Sequence, residues 1–124
     1  MSTMRFAFDI GRLMSDEQAK RRVARNQTIL RRVNEAIRRG HVGDPVVLRC
    51  ECGQLGCNRL ITLRDDEYGA VRAHPRRFAV VPAHAVAEIE TTVERHDGYA
   101  VVEARDPAAT AVAEQAAPRP SPDG

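Results

Sequence analysis

The spacing of hydrophobic positions between Ser15 and Gly40 predicts one long amphipathic helix. Ser15 is a suitable N-cap and Gly40 a suitable C-terminal stop, and neither proline nor glycine interrupts the interior. At 100° per residue, one stripe of this helix contains Ala19, Val23, Asn26, Leu30, Val33 and Ile37. Most basic side chains fall on the opposite side. We therefore expect the stripe to cover a sheet and the arginines to face solvent.

After Gly43 the pattern changes to short β-branched and apolar runs separated by turn residues. Asp65 is placed to cap a short helix from Asp66 to about Ala73, which must end before Pro75. The predicted strands are Val46–Arg49, Leu60–Leu63, Phe78–Val81, Ile89–Arg95 and Tyr99–Ala104. Strands followed closely by turn signals predict a small, largely antiparallel sheet.

The last two strands form the clearest predicted hairpin. Asp97-Gly98 between them favours a two-residue type I′ turn. That turn pairs Val93 with Val102 and Arg95 with Ala100. The shared buried face then consists of Thr91, Val93, Ala100, Val102 and Ala104.

The two ends of the chain differ from its middle. Residues 1–14 show no clear period, and we interpret them as a flexible arm. Residues 106–124 are rich in Ala and Pro and hold few bulky apolar side chains, which predicts a disordered tail. One domain is expected over residues 15–105.

Composition restricts what this domain can be. The chain has 124 residues, of which 43% are hydrophobic and only 4% aromatic, so its core is small and a metal cross-link would help it. No apolar run is long enough to span a bilayer, and the N-terminus does not resemble a signal peptide. We expect a cytoplasmic protein, in which thiols stay reduced and clustered cysteines serve as metal ligands.

All three cysteines lie within Cys50-Glu51-Cys52-Gly53-Gln54-Leu55-Gly56-Cys57. Thiolates in this spacing can converge on one tetrahedral Zn²⁺ ion if the chain turns sharply, and Gly53 and Gly56 allow such a turn. The alternative is that the thiols pack in the core as small hydrophobic groups. Their clustering around two glycines favours a structural zinc site, held by Cys50, Cys52 and Cys57.

A fourth ligand must come from one of the four histidines. His84 follows Pro82-Ala83 at a strand exit and ranks first, ahead of His41, His74 and His96. The predicted fold is thus α+β, with a long N-terminal helix on a small, mainly antiparallel sheet and a Cys3His zinc knuckle. Such a site has a net charge of −1, which Arg49 and Arg59 are placed to offset.

Several segments resemble a group of short, uncharacterised actinobacterial proteins. The likeness covers residues 20–104 and rests on R-N-x-x-L-x-x-V-N-E in the helix, C-E-C-G-x-x-x-C, and V-E-R-H-D-G-Y in the hairpin. The resemblance implies a histidine after the strand that contains Phe78, often as P-G-H. Here that segment is Pro82-Ala83-His84, with Ala in place of Gly. The resemblance implies no activity.

The sequence offers little support for catalysis. Glu51 is the candidate general base beside a metal, but Cys50-Glu51-Cys52 does not match the zinc deaminase signature. H-E-x-x-H, phosphate-binding loops and serine triads are also missing from the sequence. We therefore interpret Glu51 as a solvated side chain and expect no enzyme, with a zinc-dependent hydrolase as the weaker alternative.

Charge is distributed unevenly along the chain. Residues 1–40 carry ten basic and four acidic side chains, and the remainder is acidic overall. The basic helix predicts a binding or regulatory role toward an acidic protein or a nucleic acid, whether RNA, the ribosome or DNA. The candidate partner-binding residues are Arg21, Arg25, Arg31 and Arg32. The apolar stripe also has heptad spacing, which allows a homodimer.

Overall fold

A computed structural model describes the backbone of residues 2–116 and the side chains of residues 17–116. No helix in this part of the chain has the length and apolar character needed to cross a membrane. The elements, in chain order, are α1 (Ser2–Arg39), β1 (Val46–Arg49), β2 (Leu60–Leu63), α2 (Asp65–Arg72), β3 (Arg77–Val80), a 3₁₀ turn (Pro82–His84), β4 (Glu90–Arg95), β5 (Ala100–Ala104) and α3 (Pro107–Gln115).

The strands form two small antiparallel sheets. One contains β1 and β2, and the other has the order β3-β5-β4. The predicted α+β class and antiparallel pairing are confirmed, although the strands are divided between two sheets. The core between the sheets and helices includes Leu48, Ile61, Tyr68, Phe78 and Val102, each 2% exposed or less.

Helix α1 is longer than predicted. Its backbone is helical from Ser2, so Ser15 is not an N-cap and residues 2–14 are not an irregular arm. Residue 1 lies outside the described residues. The physical reason is cooperativity: an existing helix gains one hydrogen bond for each residue it adds, without a new nucleation cost. At 38 residues, α1 is about 57 Å long.

The buried face of α1 also differs from the prediction. It is largely polar and consists of Ala24, Gln27, Thr28, Arg31 and Asn34. The predicted apolar stripe lies beside it, where Val33 and Ile37 are each 37% exposed. Whether that stripe pairs with a second copy stays a prediction.

Polar groups on the rest of the domain explain why this face is buried. Gln27 Nε2 donates to the carboxylate of buried Glu90 at 2.7 Å. The guanidinium of Arg31 donates to the carbonyls of Pro75 (2.6 Å) and Ala113 (3.1 Å). Because these donors find acceptors inside the protein, burying them does not leave hydrogen bonds unmade.

Arginine side chains of α1 and α2 lie over aromatic rings of the core. The Arg31 guanidinium lies 5.1 Å from the centre of the Phe78 ring, and Arg72 lies 5.4 Å from that of Tyr68. Arg38 covers the same tyrosine at 5.9 Å and pairs with Asp65 at 2.6 Å. These cation–π contacts let a core with few aromatic residues accept buried charge.

The predicted disordered tail is wrong for residues 107–116. Asp106 caps helix α3 by accepting hydrogen bonds from the backbone N–H groups of Ala108 and Ala109, and Pro107 occupies the first turn. Ala109 and Ala113 are buried, and α3 packs against α1. Small side chains permit this close packing, so bulky apolar residues are not required. Residues 117–124 lie outside the described part.

The β4–β5 hairpin is confirmed, but its details are not. Arg95 pairs with Ala100 as predicted, whereas a register shift between Thr92 and Glu94 removes Val93 from the ladder. Val93 is 38% exposed as a result, and Thr91 is also exposed, so neither belongs to the buried face. The turn is not type I′, because only its glycine, Gly98, has a positive φ.

Candidate metal centre

The cysteine loop begins where β1 ends. The N–H of Cys50 donates to the carbonyl of Arg59 at 3.0 Å, which extends the β1–β2 pairing by one step. The chain then turns, with positive φ angles of 72° at Gly53 and 81° at Gly56. Only glycine adopts these angles at little cost. The turn brings Cys57 back toward Cys50 and Cys52.

A second reason also requires that residue 53 has no side chain. A Cβ atom there would lie 2.4 Å from the carbonyl oxygen of Val23 on α1. The Gly53 carbonyl accepts a hydrogen bond from Asn26 Nδ2 of the same helix at 3.1 Å. The loop that carries the cysteines is therefore seated directly on α1.

His84 reaches the loop from the three-stranded sheet. It ends the short 3₁₀ turn after β3, with its N–H bonded to the carbonyl of Val81 at 2.8 Å. Its Nδ1 atom lies 3.6 Å from Cys50 Sγ and 3.4 Å from Cys57 Sγ. All four ligand atoms of Cys50, Cys52, Cys57 and His84 lie within 4.8 Å of one another. Among the described side chains, His41, His74 and His96 do not join this group.

The distances between His84 Nδ1 and the sulfur atoms are close to those expected for four ligands arranged tetrahedrally around one zinc ion. Ligands roughly 2.0–2.3 Å from zinc, at tetrahedral angles, lie about 3.5–3.8 Å from one another. Of the two sulfur–nitrogen distances in the cluster, 3.6 Å lies within that range and 3.4 Å falls about 0.1 Å below it. The cluster can therefore hold a metal ion and is compatible with a zinc knuckle.

Local contacts also influence the ionisation of the thiols. Burial raises the pKa of Cys50 to about 12, although the Val81 N–H, 3.2 Å from its sulfur, acts in the opposite direction. Burial likewise raises the pKa of Cys52. Burial acts to raise the pKa of Cys57 too, but the N–H and the positive charge of Arg59 and hydrogen bonds with the other two cysteines lower it overall. Arg59 thus favours negative charge at the site, as the sequence suggested.

Glu51 is the largest departure from the predicted site. This residue lies between Cys50 and Cys52 in the sequence. Its side chain is not solvated but fully buried. One carboxylate oxygen accepts from Asn34 Nδ2 (2.8 Å) and from the Tyr68 hydroxyl (2.6 Å), and the other accepts from the Ala79 N–H (2.9 Å). Glu51 therefore links the metal loop to α1, α2 and β3. Continuing the alternation of β1 would place Glu51 on the exposed side with Val47 and Arg49, so the pattern gave no indication that Glu51 is buried.

The predicted partner-binding arginines do not share one environment. Arg21, Arg25 and Arg32 are exposed on α1. Arg31 is only 1% exposed and contacts backbone carbonyls, so its assignment as a partner-binding residue is wrong. Burial, and then the nearby charge of Arg72, lower the pKa of Arg31. Its position on the buried face of the helix explains the error.

Comparison with known proteins adds no further constraint: no family model, curated protein or solved structure matches the chain.

Proposed function

We propose that this chain is a non-enzymatic zinc-binding module that uses the metal to fix a basic helix for binding an anionic partner. The observation that carries the proposal is the closed donor set of Cys50, Cys52, Cys57 and His84. Structural zinc sites use four protein ligands, whereas catalytic ones keep a position for water. Zinc bound here would cross-link the cysteine loop to the turn after β3.

The surroundings of the site support a structural role. Glu51, the carboxylate nearest in sequence to the thiols, has both oxygens engaged by buried donors. It is therefore poorly placed to accept a proton from a metal-bound water, which weakens the alternative of a zinc-dependent hydrolase. A reduced, cytoplasmic environment suits the three free thiols and stays part of the proposal.

The metal loop is also placed to control α1. Asn26 and Asn34 bind the loop through Gly53 and Glu51, and Arg49 is bound to Asn34 through its backbone. An ion that orders this loop thereby orders the surface on which the helix rests. The exposed arginines of α1 are then presented in a fixed orientation.

Zinc measurement on natively purified protein tests the proposal. Native mass spectrometry should find one zinc ion per chain, and His84→Ala should lower zinc affinity by about 100-fold or more, because the site loses one of four ligands. His41→Ala, an exposed histidine outside the cluster, is the matched control and should bind zinc like the unaltered protein.

The opposite outcome would be decisive. If the protein is folded without metal and binds no zinc when it is supplied, or if His84→Ala and His41→Ala bind zinc equally, the proposed centre is wrong. Hydrolysis of a test ester that depends on zinc and on Glu51 would instead support the enzymatic alternative.

A further inference from the structure

Four of the five exposed arginines among the described side chains of α1 form a straight ridge. Arg21, Arg25, Arg32 and Arg39 are separated by four, seven and seven residues, so they fall within a sector of about 40° on the helix. From first to last they extend roughly 27 Å along its axis. All four are exposed. We refer to these four residues as the arginine ridge.

Little negative charge is available to neutralise the ridge. Glu17 lies 3.7 Å from Arg21, in an exposed pair. Within the part of the chain whose side chains are described, Arg25, Arg32 and Arg39 have no carboxylate at ion-pair distance. The ridge therefore retains most of its positive charge for an external ligand.

The surface beside the ridge is a shallow groove between α1 and α3. Besides three of the arginines, its lining consists of Thr28, Ala108, Ala111, Val112, Gln115 and Ala116. None of these is aromatic or large. Protein–protein interfaces usually depend on buried aromatic or other bulky anchors, which this groove does not offer.

The free energy that exposed charges contribute to binding differs between an acidic protein and a nucleic acid. An exposed arginine–carboxylate pair contributes only about 0–1 kcal/mol, so an acidic protein would gain little here without apolar contacts. A nucleic-acid duplex carries about one charge per 1.7 Å of its axis, and cations that neutralise it gain additional free energy by releasing condensed counterions. A line of arginines without stacking aromatics suits a duplex better than single strands, which rely on base stacking.

We propose that the arginine ridge binds the phosphate backbone of a nucleic-acid duplex without sequence preference. This inference rests on the proposed function and names the chemical class of its anionic partner. Four neutralised phosphates predict a slope of about −3.6 for log affinity against log salt, which corresponds to a roughly 100-fold loss of affinity between about 50 and 200 mM salt. DNA and RNA share the phosphate chemistry, and the experiment separates them.

Fluorescence anisotropy with zinc-loaded protein tests the inference. The probes are random-sequence DNA and RNA duplexes of about 20 base pairs, long enough to exceed the ridge, with polyglutamate and heparin as polyanions without nucleic-acid structure. Arg21→Gln/Arg25→Gln/Arg32→Gln removes three charges of the ridge. The matched control, Arg76→Gln/Arg95→Gln/Arg105→Gln, removes three exposed arginines elsewhere that make no side-chain ion pair among the described residues.

The ridge variant should reduce the salt slope to about −0.9, and the control should leave it near −3.6. A tighter complex with the DNA or the RNA duplex identifies the natural source of the phosphates. Equal losses in both variants, or polyglutamate bound as tightly as the duplexes, would overturn the inference. If heparin or polyglutamate binds through the ridge while duplexes do not, only this inference fails. If none of these polyanions binds, the proposed binding role of the helix fails as well.

Discussion

Replacing Glu51 by Gln tests the central link between the metal loop and the rest of the domain. The substitution keeps the shape of the side chain but converts one acceptor oxygen into an NH₂ donor. Placed opposite Ala79, the new NH₂ group faces a backbone N–H. Placed on the other side, it faces Asn34 Nδ2 and the Tyr68 hydroxyl. Each orientation leaves at least one buried donor without an acceptor.

Rotation of the neighbouring amide cannot relieve this conflict. Asn34 Nδ2 donates to the Arg49 carbonyl at 2.8 Å, and Asn34 Oδ1 accepts from the Arg49 N–H at 2.9 Å. Exchanging the two atoms would break both contacts. The less costly orientation therefore places the new NH₂ group opposite Ala79. The Ala79 N–H then has no acceptor, which costs about 1–3 kcal/mol.

The remaining effects can be estimated in the same way. Two hydrogen bonds lose their charged acceptor, at about 1 kcal/mol each, and removal of a buried charge recovers part of the sum. We expect Glu51→Gln to lower the free energy of unfolding by about 2–4 kcal/mol. With a urea m-value of about 2 kcal/mol/M, the midpoint falls by roughly 1–2 M.

Urea unfolding of zinc-loaded protein, followed by circular dichroism, provides the measurement. Glu88→Gln is the matched control, because Glu88 is exposed and should change stability by less than about 0.5 kcal/mol. A Glu51→Gln protein as stable as the Glu88→Gln protein would refute the buried network and restore the solvated side chain predicted from the sequence.

Two further predictions concern the thiols and the C-terminal helix. Because the pKa values of Cys50 and Cys52 are raised, both thiols are protonated at neutral pH without metal, so zinc binding at pH 7 should release at least two protons and should strengthen as pH rises. Calorimetry in buffers of different ionisation enthalpy measures this release, and a proton count near zero would contradict it. Asp106→Ala should lower the free energy of unfolding by about 1 kcal/mol through loss of the α3 cap, and Asp106→Asn should recover most of it. Equal stability of Asp106→Ala and the unaltered protein in urea unfolding would argue against α3.

The sequence was informative where local chemistry decides structure. Strands β1 and β2 begin and end at the predicted residues because short β-branched and apolar runs and the flanking turn residues act over short distances. The cysteine spacing and the two glycines predicted the geometry of the metal loop for the same reason. The preceding strand and proline favour His84 over the other histidines as the fourth ligand, and the structure places it beside the thiols.

The polar contacts were not predictable in the same way. Hydrophobic periodicity identifies side chains that avoid water, but it does not show which polar groups find partners far along the chain. Gln27 and Glu90 are 63 residues apart, and their hydrogen bond exists only once β4 has been placed against α1. By contrast, Asp106-Pro107, a cap followed by a first-turn proline, is a local signal for α3, although the low apolar content of the segment points the other way.

The polar underside of α1 has a consequence for alignment. A helix that packs through apolar side chains can shift along its axis or rotate by a fraction of a turn and still keep most of its contacts. Here a shift of one residue would separate Gln27, Arg31 and Asn34 from their acceptors together. These contacts therefore fix both the axial position and the rotation of the helix on the domain.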